Sequence, residues 1–231
     1  MKAVTVSTIM LILVLFLFHS PVLAQEGEQE EATESHELEW TFENIPVGEI
    51  PQGWKVEGTN QRGPLATWQV VEEKDAPSGT HVLALIRPNH HFGGTFNLCW
   101  TDKIRFKDGE IEVHFKANSG VEDQGGGVIW RAKDKDNYYI SRFNPLENNF
   151  RIYYVKDGAR RMLASARIKL PAHTWHELKI THYGTKICGY LNGKKLLEVK
   201  DNTFPDAGGV GLWTKADAAT SFDDFEVEIE K

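Results

Sequence analysis

From Glu110 to Ala117 the chain alternates strictly: Ile111, Val113, Phe115 and Ala117 fall on one side, and Glu110, Glu112, His114 and Lys116 on the other. Successive side chains of an extended strand point to opposite faces, so this segment is a strand with one face in a core and one in water. The same period recurs along most of the chain, and helical spacing is almost absent beyond residue 24. It predicts strands over 38–43, 68–71, 82–86, 96–100, 110–117, 128–132, 138–143, 150–155, 162–166, 175–182, 186–191, 196–199, 210–214 and 221–230. Asp108-Gly109, Asp157-Gly158 and Asn192-Gly193 are dipeptides that accept the positive φ angles of tight hairpin turns. Short strands joined this way pair antiparallel, and the absence of strand–helix–strand spacing argues against a parallel sheet. With no internal repeat, propellers and solenoids are also disfavoured. The expected fold class is all-β, a two-sheet antiparallel β-sandwich.

The first residues read differently. Met1 and Lys2 precede an apolar stretch from Ile9 to Phe18, followed by Pro21 and by Val22-Leu23-Ala24. A positive start, a short apolar core and small residues before a cleavage point are the layout of a secretory signal, expected over 1–24. The apolar stretch is shorter than the roughly 20 residues a bilayer-spanning helix needs, and no later run is longer, so stable membrane insertion is not expected. Residues 25–37 (QEGEQEEATESHE) are rich in glutamate and lack large apolar side chains, which predicts a flexible acidic linker. Residues 38–231 then form one domain, placed outside the cell or in the periplasm.

The full chain carries a formal charge of -7, and removing residues 1–24 takes away Lys2 and no acid, leaving -8. Such a balance disfavours nucleic acid as a partner. Cys99 and Cys188 each sit in an apolar strand; after export they could pair, or each could remain a small buried hydrophobe. The pattern leaves the oligomeric state open.

From Gly126 onward GGVIWRAKDKDNYYISRFN, FRIYYVKDG, WHELKI, GYLNGKKL and GGVGLWTKADAATSFDDFEVE follow in order, preceded by WTFEN, PQGW and WQVVE. This succession resembles the concanavalin A-like lectin and glucanase superfamily, and within it laminin G-like modules and the 3-keto-disaccharide hydrolase domain of secreted bacterial proteins. The resemblance covers most of the stretch from Trp40 to Glu228 and implies a jelly-roll sandwich. It implies a carbohydrate or glycan held on a concave sheet, with a glycoside hydrolase of the 3-keto-disaccharide type and a laminin G-like protein-binding module as the alternatives. At Trp175-His176 the chain departs from the Trp-Asn pair usual in the hydrolase domains.

Sugars are held by aromatic faces against the C–H face of the ring and by planar hydrogen-bonding groups for the hydroxyls. Arg131 and Arg142, beside Trp130 and Phe143, together with Tyr139 and Tyr153, are the first candidates for ligand contact; pairing with surface acids is the competing role. His90 and His91 lie in a loop able to rim a cleft, or are ordinary surface. Glu110, Glu112 and His114 share a strand face and are the candidate acid–base set, against the simpler reading of a solvated sheet face. The E-x-D-x-x-E arrangement of family 16 glucanases is absent. By analogy with jelly-roll relatives, Glu43 and Asp223 would hold a structural calcium ion, the one cofactor implied, or else Asp223 accepts backbone N–H groups.

Overall fold

Segments rich in β-branched and aromatic residues form most of fifteen strands among the described residues, which contain no helix. The computed structural model describes residues 35–88 and 92–230. The expected signal, the linker up to residue 34, and His90 and His91 lie outside the described residues. In chain order the strands are β1 (Ser35–Trp40), β2 (Lys55–Thr59), β3 (Thr67–Glu72), β4 (His81–Arg87), β5 (Phe96–Phe106), β6 (Gly109–Ser119), β7 (Gly126–Asp134) and β8 (Asn137–Asn144). They continue as β9 (Asn149–Lys156), β10 (Ala159–Arg167), β11 (Trp175–Tyr183), β12 (Lys186–Leu191), β13 (Lys194–Lys200), β14 (Gly208–Lys215) and β15 (Ala219–Glu230). The first lies three residues inside the segment expected to be linker. The second, KVEGT, carries no alternating apolar residues and has no counterpart among the sequence-based strands.

The strands form two antiparallel sheets. One has eight strands in the order β13-β12-β11-β6-β15-β4-β3, with β1 added against β15. The other has seven, in the order β10-β9-β8-β7-β14-β5-β2. Strand β15 changes partner along its length: its first half pairs with β4 and its second with β1, with a bulge between Asp223 and Glu226. Two of the three expected turns have positive φ at both residues, 50° and 75° at Asp157-Gly158 and 48° and 72° at Asn192-Gly193. The third differs. Gly109 (φ 138°) opens β6, where a Cβ would lie 2.0 Å from the Glu228 carbonyl oxygen, so glycine is needed there for close strand approach.

Between the sheets lies the main core, where Ile111, Val113 and Phe115 of β6 meet Val128 and Trp130 of β7, Phe150 and Ile152 of β9, and Leu212 of β14. Cys99 belongs to this core, whereas Cys188 points to the outer side of the eight-stranded sheet towards Glu198; both are free thiols. Burial raises the Cys99 thiol well above its ordinary range.

A second cluster occupies the other face of the seven-stranded sheet: Phe96, Leu98, Trp100, Ile129, Tyr138, Ile140, Tyr153, Val155 and Trp213 are all buried there. An outer face is buried only if the sheet curls over it. Neighbouring strands lie about 4.8 Å apart, so β2 and β8, four steps apart in the sheet, would be separated by roughly 19 Å if it were flat. Instead the Thr59 hydroxyl on β2 lies 2.8 Å from the Tyr138 hydroxyl on β8 and also donates to the Lys135 carbonyl oxygen. Asn60 Nδ2 reaches Gly158 O, in the β9–β10 turn, at 2.9 Å. The seven-stranded sheet is therefore the concave one, closed across its middle by these contacts.

Candidate functional site

On β8 the alternation places Tyr138, Ile140 and Arg142 towards the concave side, and Tyr139 and Phe143 towards the main core. Register with β9 sets Arg142 opposite Arg151, with Tyr153 two residues on. Two like charges in that position repel unless an anion separates them. Glu147, in the β8–β9 turn, does so: its Oε2 accepts from Arg142 Nη2 at 2.8 Å, from Arg151 Nη1 at 3.3 Å and from Asn149 Nδ2 at 2.9 Å. Burial would raise its carboxyl, but Asn149, Arg142 and Arg151 outweigh this and lower it to about 2. The Tyr153 hydroxyl accepts from both arginines at 3.2 Å.

The Asp157-Gly158 turn next fixes β10 so that Arg160 pairs with Val155 and shares the face of Tyr153. Its guanidinium carbon lies 4.4 Å from the Tyr153 ring centre, 5.0 Å from Phe96 and 5.8 Å from Trp213. On β14, Lys215 falls on the same face as Trp213 and its Nζ donates to Asp123 Oδ2 at 3.1 Å. Asp123 comes from the loop ahead of β7 and also accepts from Asn144 Nδ2 at 2.9 Å. Burial raises the Asp123 carboxyl against the pull of Arg142 and Lys215.

Above these residues an open cleft of about 690 Å³ is lined by Asn60, Gln61, Arg62, Phe92, Phe96 and Arg160, with Lys215 at its side. Its size is that of a small-molecule site. Beyond the Thr59 bridge a second depression of about 530 Å³ carries mixed charge from Lys55, Glu57, Lys133, Asp134 and Asp136.

The structure divides the sequence-derived candidates. Arg142 and Tyr153 come together on the concave face. Arg131 and Tyr139 do not join them: both are buried between the sheets. A bulge after Trp130 turns Arg131 inward at φ 45°, where Nε donates to Lys107 O at 2.8 Å and Nη1 to Phe204 O at 2.9 Å. Its Nη2 is shared by Gly184 O at 3.1 Å and Asp108 Oδ1 at 3.2 Å. Tyr139 stacks on Trp130 and donates to Asp201. These two hold the end of the sandwich together and leave no donor for a sugar.

Glu110, Glu112 and His114 lie on the outer face of the eight-stranded sheet, away from the cleft. There Glu112 pairs with Glu226 and Glu110 with Glu228, and these in turn face Glu39 and Glu37. Lys179 pairs with Glu110 and lies 4.0 Å from Glu112, and His114 lies 3.3 Å from Asp224. This is the solvated face of a sheet. Glu43 and Asp223 meet around one loop, but as acceptors for its N–H groups: Glu43 Oε1 takes those of Thr80 and His81 at 2.8 and 2.6 Å, and Asp223 Oδ2 that of Ser78 at 3.0 Å. Burial pushes the Asp223 carboxyl up to about 6. Among the described residues no three His, Cys, Asp or Glu side chains converge as a metal ion requires.

Sequence reasoning missed Arg160, Asp123 and Lys215. The first was open to inference, because a two-residue turn at 157–158 places residue 160 on the face of 153 and 155. Asp123 comes from a loop between glycines, where no periodicity operates.

Two curved antiparallel sheets with a ring- and cation-lined concave face define a concanavalin A-like jelly roll. Residues 48–228 match the model of the 3-keto-alpha-glucoside-1,2-lyase-like domain, and the chain belongs to that family. Solved structures of the same fold include the carbohydrate-binding module CBM66 from Bacillus subtilis, at 18% identity and a TM-score of 0.59 over 80% of this chain and 100% of that one. Others are domain 4 of AbnA, a GH43 extracellular arabinanase from Geobacillus stearothermophilus, in complex with arabinotriose (13%, TM-score 0.54, 83% and 90%), and a Bacillus licheniformis β-glucanase (12%, TM-score 0.55, 84% and 98%). No curated protein matches the chain.

Proposed function

We propose that this is an exported carbohydrate-binding domain that holds a glycan in the cleft of its concave sheet, against Phe92, Phe96, Arg160 and Lys215, with Tyr153, held by Arg142, lying beneath Arg160. One observation carries the reading. The outer face of the seven-stranded sheet gathers buried rings and arginines under an open cleft, whereas the outer face of the eight-stranded sheet carries glutamates and lysines. Rings supply the apolar platform and guanidinium groups the donors that a sugar needs. The family and the fold shared with CBM66 and AbnA domain 4 support the same class of ligand. The apolar stretch from Ile9 to Phe18 supports export. Polysaccharide pull-down with the full chain tests it: retention falls about tenfold or more when Tyr153 becomes Ala with folding intact by circular dichroism, and equal retention by both forms removes the site.

A second reading, cleavage of a 3-keto-glycoside, is supported by the family and by Asp123. A buried carboxyl raised above its ordinary range and hydrogen-bonded to the cleft-lining Lys215 suits proton transfer relayed to the cleft through that lysine. Turnover of a 3-keto-glucoside that is abolished in Asp123→Asn would favour it over simple binding; no turnover by either form leaves binding alone.

A further inference from the structure

Arg160 differs from the other arginines of the two buried networks. Arg131 is neutralised by Asp108, and Arg142 and Arg151 by Glu147. Among the described residues Arg160 makes no ion pair, and its Nη1 is buried without a hydrogen-bond partner. Three rings, Phe96, Tyr153 and Trp213, lie under its guanidinium. A π face steadies a cation but does not satisfy N–H donors lying in the guanidinium plane. A half-buried guanidinium on a cleft wall, with no acid paired to it, is suited to an anion that arrives with the ligand, and a carboxylate or sulfate oxygen matches its geometry.

The rest of the lining points the same way. Among the described residues, the charged side chains that line the cleft, Arg62, Arg160 and Lys215, are all cations, in a chain with 33 acids against 26 lysines and arginines. A cleft of one sign on a protein of the opposite sign concentrates anions locally. Asp123, the partner of Lys215, has 4% side-chain exposure and presents no negative surface to the cleft.

We infer that the bound glycan is acidic, with a ring carboxylate or sulfate ester seated on Arg160 and Lys215 beside it. This rests on the carbohydrate-binding reading and narrows its ligand class. Isothermal titration of the full chain at low salt compares matched sugars: methyl glucoside, methyl glucuronide and methyl glucoside 6-sulfate. The wild type is expected to bind at least one acidic sugar about tenfold or more tighter than the neutral one, because a charge-assisted hydrogen bond has been gained. The winning sugar tells carboxylate from sulfate. In Arg160→Gln the ratio of acidic to neutral affinity should fall to about one, and Arg160→Lys should restore part of it. If Arg160→Gln does not fold, Lys215→Gln and the salt dependence of the wild type serve instead, acidic binding weakening with added salt and neutral binding not. Equal affinity for neutral and acidic sugars overturns the inference and leaves carbohydrate binding standing. No binding of any of the three, nor of longer neutral or acidic oligosaccharides, overturns both.

Discussion

The Thr59 hydroxyl lies 2.8 Å from the Tyr138 hydroxyl, although β7, β14 and β5 separate their strands within the sheet. That contact holds the concave sheet curled and keeps a second apolar cluster dry. Thr59→Val preserves the shape and removes the bond, leaving a buried Tyr138 hydroxyl and the Lys135 carbonyl short of a partner. The expected cost is about 1–2 kcal/mol, a fall in Tm of roughly 2–8 °C for a domain of this size. Thermal unfolding checks it, and an unchanged Tm would mean that the curl is set elsewhere.

Arg131 and Arg142 separate structure from binding. Arg131→Met strips partners from three backbone carbonyl groups, that of Phe204 buried, and from Asp108, and should cost about 3 kcal/mol or more in urea unfolding while the folded fraction binds glycan as before. Arg142→Ala should weaken binding, because Tyr153 and Glu147 lose a donor that positions them. Reduced affinity per folded molecule in Arg131→Met would place that residue in the site after all.

His182 is fully buried between the sheets and accepts from Trp130 Nε1 at 2.9 Å through Nδ1. Burial, reinforced by Arg131, lowers its pKa to about 3. The unfolded chain takes up a proton near pH 6.5 that the folded chain refuses, so stability falls as pH drops. From pH 6.5 to pH 5 this residue alone accounts for about 2 kcal/mol. His182→Gln should flatten that part of the stability profile in urea titrations run across pH; an unaltered slope would contradict the assignment.

The glutamate ladder on the outer face of the eight-stranded sheet should weaken the fold at neutral pH. Burial, with Glu39 and Glu37 opposite, raises the Glu226 carboxyl, so the unfolded chain loses this proton first and stability declines as pH rises through that window. Glu226→Gln should therefore stabilise by about 0.2–1 kcal/mol at pH 7, raising Tm by roughly 0.4–4 °C, and should confer nothing below about pH 4. A gain that persists in acid would point to a cause other than charge.

Strand positions were legible because polarity alternates along β6 and β15 of the eight-stranded sheet, and because β8 and β9, buried on both faces, read as short runs rich in aromatic and branched residues. The exception, β2, is polar and lies at an edge of its sheet, yet it carries Thr59. The candidate site was legible in part. Arg142 and Tyr153 follow from alternation alone, but Arg131 required knowledge of a bulge, since one extra residue sends a side chain to the opposite face. Glu110 and Glu112 show the reverse problem: alternation places them on a face correctly and does not say which of two sheets curves towards a ligand. Curvature depends on contacts between residues far apart in the chain, such as Thr59 with Tyr138, and no local pattern encodes it.

Chemical-shift mapping by two-dimensional NMR, with an acidic oligosaccharide titrated into the labelled chain, locates the bound sugar on one sheet or the other. Perturbations should gather on Phe96, Tyr153, Arg160, Trp213 and Lys215 and leave Glu112, Lys179 and Glu226 unmoved. Shifts confined to the glutamate face of the eight-stranded sheet, or none anywhere at saturating sugar, would contradict a glycan site in the concave cleft.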